Sequence, residues 1–134
     1  LYDRLKAKPK ELGVDHLVCM TNFPLQDEHW KNLYYWERDR LSIISTYELL
    51  DQLVEPDFTV ERMMANLAAA IAADLDVHSG SRGPKDCPFY FNKERDIRSI
   101  AGRLNLCAAC RKQLRGKEGA PRLRAAERLL AAYP

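Results

Sequence analysis

The apolar positions of this chain change period along its length. Val14-Asp15-His16-Leu17-Val18-Cys19-Met20-Thr21 is a mostly apolar run that predicts a buried strand. A helix end over Leu1–Leu12, weakened by Pro9, precedes it, and Gly13 is the expected stop. Asn22-Phe23-Pro24 breaks the strand, and a polar loop leads to the aromatic run Leu33-Tyr34-Tyr35-Trp36. A hairpin is expected there, with Glu37-Arg38-Asp39-Arg40 as turn and Leu41-Ser42-Ile43-Ile44-Ser45 as return strand. The first part of the chain therefore predicts a sheet of about three strands.

From Thr59 the period becomes helical. Val60, Met63, Met64, Leu67, Ile71 and Leu75 recur on one stripe of the longest helix, with Thr59 as its N-cap, and this helix is expected to cross the sheet. Its other faces carry Ala65, Ala68, Ala69, Ala70, Ala72 and Ala73. Close approach of a neighbour and simple helix propensity explain those alanines equally well. His78 to Pro88, with Gly80, Gly83 and Pro84, reads as a loop. A helix from Asn92 to about Leu104 follows, then a short one from Cys107 to Gly116. Pro121 opens a last helix with Leu123, Ala126, Leu129 and Leu130 on its apolar face, expected to lie outside the core. The fold class is α+β: a small mixed sheet packed by a long helix, with a C-terminal helical part. The domain reading is 1–116 for one domain and 117–134 for a C-terminal helix or linker.

The cysteines supply the metal. Cys107-Ala108-Ala109-Cys110 is a C-x-x-C knuckle, and Cys87 lies twenty residues upstream. Two thiolates three positions apart can grip one tetrahedral ion from a single turn, while a distant ligand ties another part of the chain to it. His78, nine residues before Cys87, is the best placed fourth ligand, so the expected site is a structural Zn2+ held by His78, Cys87, Cys107 and Cys110, which makes 1–116 a zinc-binding domain with a zinc-stapled C-terminal helical part. Cys19 competes for the fourth place, but within an apolar strand it reads as a small core residue. The alternative for the trio is metal-free buried thiols or a redox dithiol. No thioredoxin-like strand precedes the C-x-x-C pair.

Composition limits the class. With 134 residues, 46% hydrophobic and 30% charged, the chain reads as one soluble domain with a core. No apolar run approaches the roughly twenty residues that cross a bilayer, and Leu1–Lys10 lacks the apolar stretch of a signal peptide, so the expected compartment is the cytoplasm. Leu1 in place of an initiating methionine is what a fragment of a longer protein would show. The net charge of +2 hides an asymmetry, because 1–91 carry ten basic and fifteen acidic residues and 92–134 carry eleven and four. Beside a zinc knuckle, this invites a nucleic-acid reading with Arg111, Lys112 and Arg115 as phosphate contacts, along with Arg95, Arg98 and Arg103. The same residues fall where a helix faces water, which is the plainer reading.

The order of strand, polar loop, aromatic hairpin ending in Ile43-Ile44-Ser45, long helix opened by Glu61-Arg62, and closing C-x-x-C distantly resembles the archaemetzincins over roughly Val14 to Leu114. These are metzincin-type zinc peptidases with a second, cysteine-bound structural zinc. The resemblance implies a catalytic H-E-x-x-H-x-x-G-x-x-H motif which, if it ends at His78, falls on Ala68, Ala69, Ala72 and Leu75. Alanine supplies neither ligand nor base, so the chain reads as a non-catalytic relative whose helix runs on to Asp76. His78 is then released to the structural site, where the family uses cysteines throughout.

Other chemistry is sparse. Asp74, Asp76 and His78 form a D-x-D-x-H string that reads as ordinary solvated residues at a helix end, and His16 and His29 are isolated. No Ser/His/Asp arrangement follows from spacing alone. Two function classes remain: a protein-interaction or scaffold module, whose emptied, alanine-lined cleft and edge strand would take an extended peptide of another protein or neighbouring domain, and a zinc-dependent nucleic-acid-binding module. A residual metallopeptidase-type hydrolase is a third, needing catalytic groups from unrecognised residues or another chain.

Overall fold

Leu41–Ser45, the return strand of the expected hairpin, is the centre of a three-stranded sheet in which all five of its residues are buried. The structure is a computed structural model and describes residues 1–26, 35–49, 51–55, 57–75, 83–90, 92, 96–116 and 118–133. Its mixed α+β class is the one the patterning predicts. The chain divides into two units, Leu1–Leu50 and Asp51–Pro134.

In the first unit, helices α1 (Tyr2–Leu5) and α2 (Lys8–Leu12) precede strands β1 (Leu17–Thr21), β2 (Tyr35–Arg38) and β3 (Leu41–Ser45). Where one helix is expected there are two short ones, because Pro9, lacking an N–H, sits in the first turn of α2. Gly13 closes α2 at φ 65°, a left-handed conformation that costs glycine least. The sheet order is β1-β3-β2, with β1 parallel to β3 and β2 antiparallel to it. The expected four-residue turn shrinks to two, because Glu37 pairs with Ser42 and Arg38 with Leu41. Asp39 and Arg40 are left at φ 52° and 67°, both in the left-handed region, as a two-residue hairpin demands. Arg40 is held there by its Nε, which donates to the Asp15 carbonyl at 2.7 Å. The strand expected from Val14 accordingly begins only at Leu17, whose N–H donates to the Arg40 carbonyl at 2.8 Å. Leu33 and Tyr34 lie outside the described residues.

The second unit begins with a small antiparallel hairpin, β4 (Val54–Glu55) and β5 (Phe58–Thr59), which leads directly into α3 (Val60–Ala73). Thr59 caps α3 as expected, its hydroxyl accepting from the Arg62 N–H at 3.2 Å. Of the expected stripe, only Met63 and Leu67 are fully buried, while Val60, Met64, Ile71 and Leu75 are half-buried. Burial has rotated onto Ala65, Asn66, Ala69 and Ala73. The cause is α6 (Ala120–Ala131), which packs along α3. Ala69, Ala73 and Ala126 are each wholly enclosed, so of the two explanations for the alanines, close approach of a neighbour is realised. The last helix was expected outside the core, yet it completes it: Leu123, Leu129 and Leu130 pack on the cluster around Ala126.

Nor does α3 run on to Asp76. It stops at Ala73, with Asp74 at φ 51° and its N–H on the Ala70 carbonyl at 3.0 Å. The carboxylate of Asp74 meets Arg122 of α6 at 3.2 Å. The helix expected from Asn92 is the four-residue α4, Arg98–Ala101. Asn92 engages Asp96 with both ends of its amide, accepting from the Asp96 N–H at 2.8 Å and donating to its carbonyl at 2.9 Å. Asp96 in turn accepts from the Arg98 N–H at 3.1 Å, and the helix starts there. Asn66 of α3 donates to the carbonyls of Ile100 and Gly102, each at 3.0 Å, satisfying the end of α4 from a buried position. Leu104 and Leu106 then run buried into α5 (Ala108–Gln113). Gly119 permits a tight passage from α5 to α6, since a Cβ there would stand 2.6 Å from the Leu114 carbonyl oxygen.

Candidate metal centre

Three segments of the second unit deliver three sulfurs to one place. Cys87 sits in a double turn, with its N–H on the Pro84 carbonyl and its carbonyl on the Tyr90 N–H, both at 3.0 Å. Next to it, the Asp86 carbonyl accepts from the Asn105 N–H at 2.7 Å, which ties this loop to the strand-like run before the knuckle. Cys107 is the extended N-cap residue of α5, and Cys110 lies one turn into the helix. That geometry turns both knuckle side chains to the same side.

The Sγ atoms of Cys87, Cys107 and Cys110 all lie within 4.8 Å of one another, and those of Cys87 and Cys110 are 3.8 Å apart. None of the three is joined in a disulfide. A disulfide would require about 2.05 Å. Ligands at about 2.3 Å from a tetrahedral zinc stand about 3.8 Å from one another, so the observed separation is the edge of such a tetrahedron. Cys87 and Cys110 are buried at 0% and 2% exposure, and Cys107 is half-buried. Around them pack Ala69, Ala73, Phe89, Leu106, Leu114 and Ala126.

The electrostatics favour a cation. Burial pushes the Cys87 thiol up, although the N–H groups of Cys107 and Phe89 are directed at its sulfur and favour the thiolate. Burial also acts upward on Cys107, but the backbone N–H groups of Cys110 and Ala109, with hydrogen bonds from the neighbouring thiols, outweigh it and lower that thiol. Cys110 is pushed well up by burial and by the charges of Cys87 and Cys107. Backbone donors aimed at sulfur are the outer shell of a thiolate metal site. Three thiolates this close cannot all ionise unless a positive charge sits between them.

Cys87, Cys107 and Cys110, expected together, are together. His78, the expected fourth ligand, lies outside the described residues, as do Asp76, His29 and Arg95. Cys19 is half-buried on β1. Of the expected phosphate contacts, Lys112 and Arg115 are exposed, but Arg111 is engaged internally. Its Nε donates to the Leu106 carbonyl at 2.9 Å and its guanidinium pairs with Glu127, bracing α5 against α6. Arg98 makes two contacts to the Asp96 carboxylate, at 3.0 and 2.8 Å, and holds that acid below its usual range. These two, with Phe58, Lys85, Asp86, Gly102 and Arg103, line a cavity of about 280 Å³.

Two arrangements escaped the sequence. The N–H donors of Phe89 and Ala109 belong to backbone geometry and leave no side-chain signature. His16 lies 2.7 Å from the Ser42 hydroxyl, with Tyr35 at 3.4 Å from the same oxygen and Glu37 at 4.0 Å from the ring. Ser42 is wholly buried, so this pair is a strut between the strands and not an accessible nucleophile. Alternation along β3 gave no hint, because Ser42 occupies a position that the apolar pattern assigns to the solvent side. No protein-family model, curated protein or solved structure matches this chain. Among the described residues, no helix is long and apolar enough to cross a membrane.

Proposed function

We propose that this chain is a non-catalytic zinc-binding module in which Cys87, Cys107 and Cys110 hold one structural ion, with His78 as the fourth ligand. The observation that carries the reading is the convergence of three sulfurs at tetrahedral spacing, two of them buried and two supported by backbone N–H donors. A zinc ion there supplies charge neutralisation and a cross-link between the Cys87 turn and α5. Binding it requires loss of the thiol protons, so zinc retention falls as pH is lowered. The order of strand, hairpin, long helix and cysteines keeps a metzincin-like, catalytically emptied ancestry as part of this reading. The alanines at the expected catalytic positions support it, since Ala69 is enclosed in the packing with α6.

Its work on this reading is to present a scaffold to another protein or to a neighbouring domain. The alanine face is taken by α6 and offers no cleft, which leaves the sheet edge, β2 or β1, as the place for an extended segment. The internal use of Arg111 favours this class over nucleic-acid binding. Elemental analysis of the purified chain tests the metal. One zinc per chain, lost in both Cys110→Ser and His78→Ala, is the expected result. Zinc retained in His78→Ala would remove the fourth ligand, and no zinc in the unaltered chain would remove the module itself.

A further inference from the structure

The three sulfurs are not equivalent, and the difference has a direction. Cys87 and Cys110 are closed off from solvent, whereas Cys107 is half-buried at the N-cap of α5, where its backbone is extended and only its carbonyl joins the helical ladder, accepting from the Arg111 N–H at 3.0 Å. A reagent arriving from water meets the Cys107 sulfur first. Both other sulfurs wait within 4.8 Å of it. Cys110 is three positions away on a helix of only six residues, so the two can close to bonding distance by a local change at the Cys107 backbone.

We propose that the centre is redox-sensitive and releases its metal when a hydroperoxide oxidises Cys107 and Cys110 to a disulfide; this rests on the zinc reading above. In the first step, the Cys107 thiolate attacks the peroxide oxygen. An S–O bond forms, the O–O bond breaks, and the sulfur gives two electrons to the oxygen that leaves as water or an alcohol after taking up a proton. In the second step, the Cys110 thiolate attacks the Cys107 sulfur, an S–S bond forms, and hydroxide leaves and is protonated to water. Two thiolates are gone and Cys87 alone of the trio remains, which does not hold zinc. A dithiol reductant returns two electrons and two protons and restores the site.

The consequence reaches beyond the ion. Cys87 and Cys110 share one buried cluster with Ala73 and Ala126, so losing the ion withdraws the cross-link at the junction of α3, α5 and α6. Oxidation is thereby converted into loosening of the C-terminal helices.

The test uses the full zinc-loaded chain in a Cys19→Ser background, whose zinc content is measured before any oxidant is added. Hydrogen peroxide is titrated while released zinc is read with a metallochromic dye, and the thiols are mapped by alkylation and mass spectrometry. Expected are full loss of the one bound zinc, two thiols consumed per zinc, a Cys107–Cys110 cross-link with Cys87 still alkylatable, and zinc re-uptake after dithiothreitol. Zinc retained while peroxide is consumed overturns the proposal and leaves the zinc reading standing. Release with Cys107 still alkylatable, or with a cross-link to Cys87, also overturns it. A chain holding no zinc at the outset overturns both.

Discussion

In the first unit a single strand, β3, buries all five of its side chains and pairs with a neighbour on either side; in the second, α3 packs on α6 with alanines wholly enclosed between them. Leu41, Ile43 and Ile44 bring large apolar surface to the sheet, and the polar Ser42 and Ser45 are satisfied in place. Ser45 donates to the Phe23 carbonyl at 2.7 Å. Ala69, Ala73 and Ala126 bring one methyl group each, worth about 0.8 kcal/mol per buried carbon. Packing of this kind lets the two helices approach, while the larger side chains of Phe89, Leu106 and Leu114 fill the same cluster. Cys87 and Cys110 belong to that cluster, beside the same alanines. On the proposed reading, an ion there would join the Cys87 turn to α5 within this cluster.

Removing the ion should therefore separate the two units most widely. Structural zinc contributes about 10–16 kcal/mol of apparent binding free energy in small domains, so a chelator should abolish hydrogen-exchange protection in α5 and α6 while β1 and β3 keep theirs. Equal loss in both units would break the comparison. The converse is Ile44→Ala, expected to cost about 2–5 kcal/mol through the cavity it leaves. Exchange should quicken across the three strands with zinc content unchanged. Ala126→Leu sharpens the claim about close approach, because the three added carbons have no room beside α3. Thermal melting should show a loss of about 1–3 kcal/mol, against less than about 0.5 kcal/mol for the exposed neighbour Ala125→Leu. The smallest effect is expected from Thr59→Ala, about 1 kcal/mol from the lost cap, read as quicker exchange at the Arg62 amide alone.

What could be read from the sequence was what depends on neighbours in the chain. The knuckle is three residues apart, the hairpin is closed by Asp39 and Arg40, and Thr59 and Gly13 act on the turns beside them. Distant partners were legible only in part. The alanines of α3 left two explanations open because nothing in residues 60–73 announces Ala126. The largest side chains drew the expected stripe toward Met64 and Ile71, while the partner helix selected the smallest. Asn92 looked like a cap, and its amide instead braces Asp96, a difference set by side-chain hydrogen bonds and not by propensity. The parallel pairing of β1 with β3 and the two-residue strands β4 and β5 carry too little local pattern to be read.

The pairing of α3 with α6 also sets an order of events on the ribosome. Synthesis runs from the N-terminus, so α3 leaves the exit tunnel while the residues of α6 are still to be joined, and the three sulfurs cannot gather before Cys110 exists. Until then the helix carries its bare alanine face through the crowded surroundings of a nascent chain. That face is a poor adhesive. Leucines in its place would be sticky during the wait, and a surface of methyl groups gives other exposed chains little to hold.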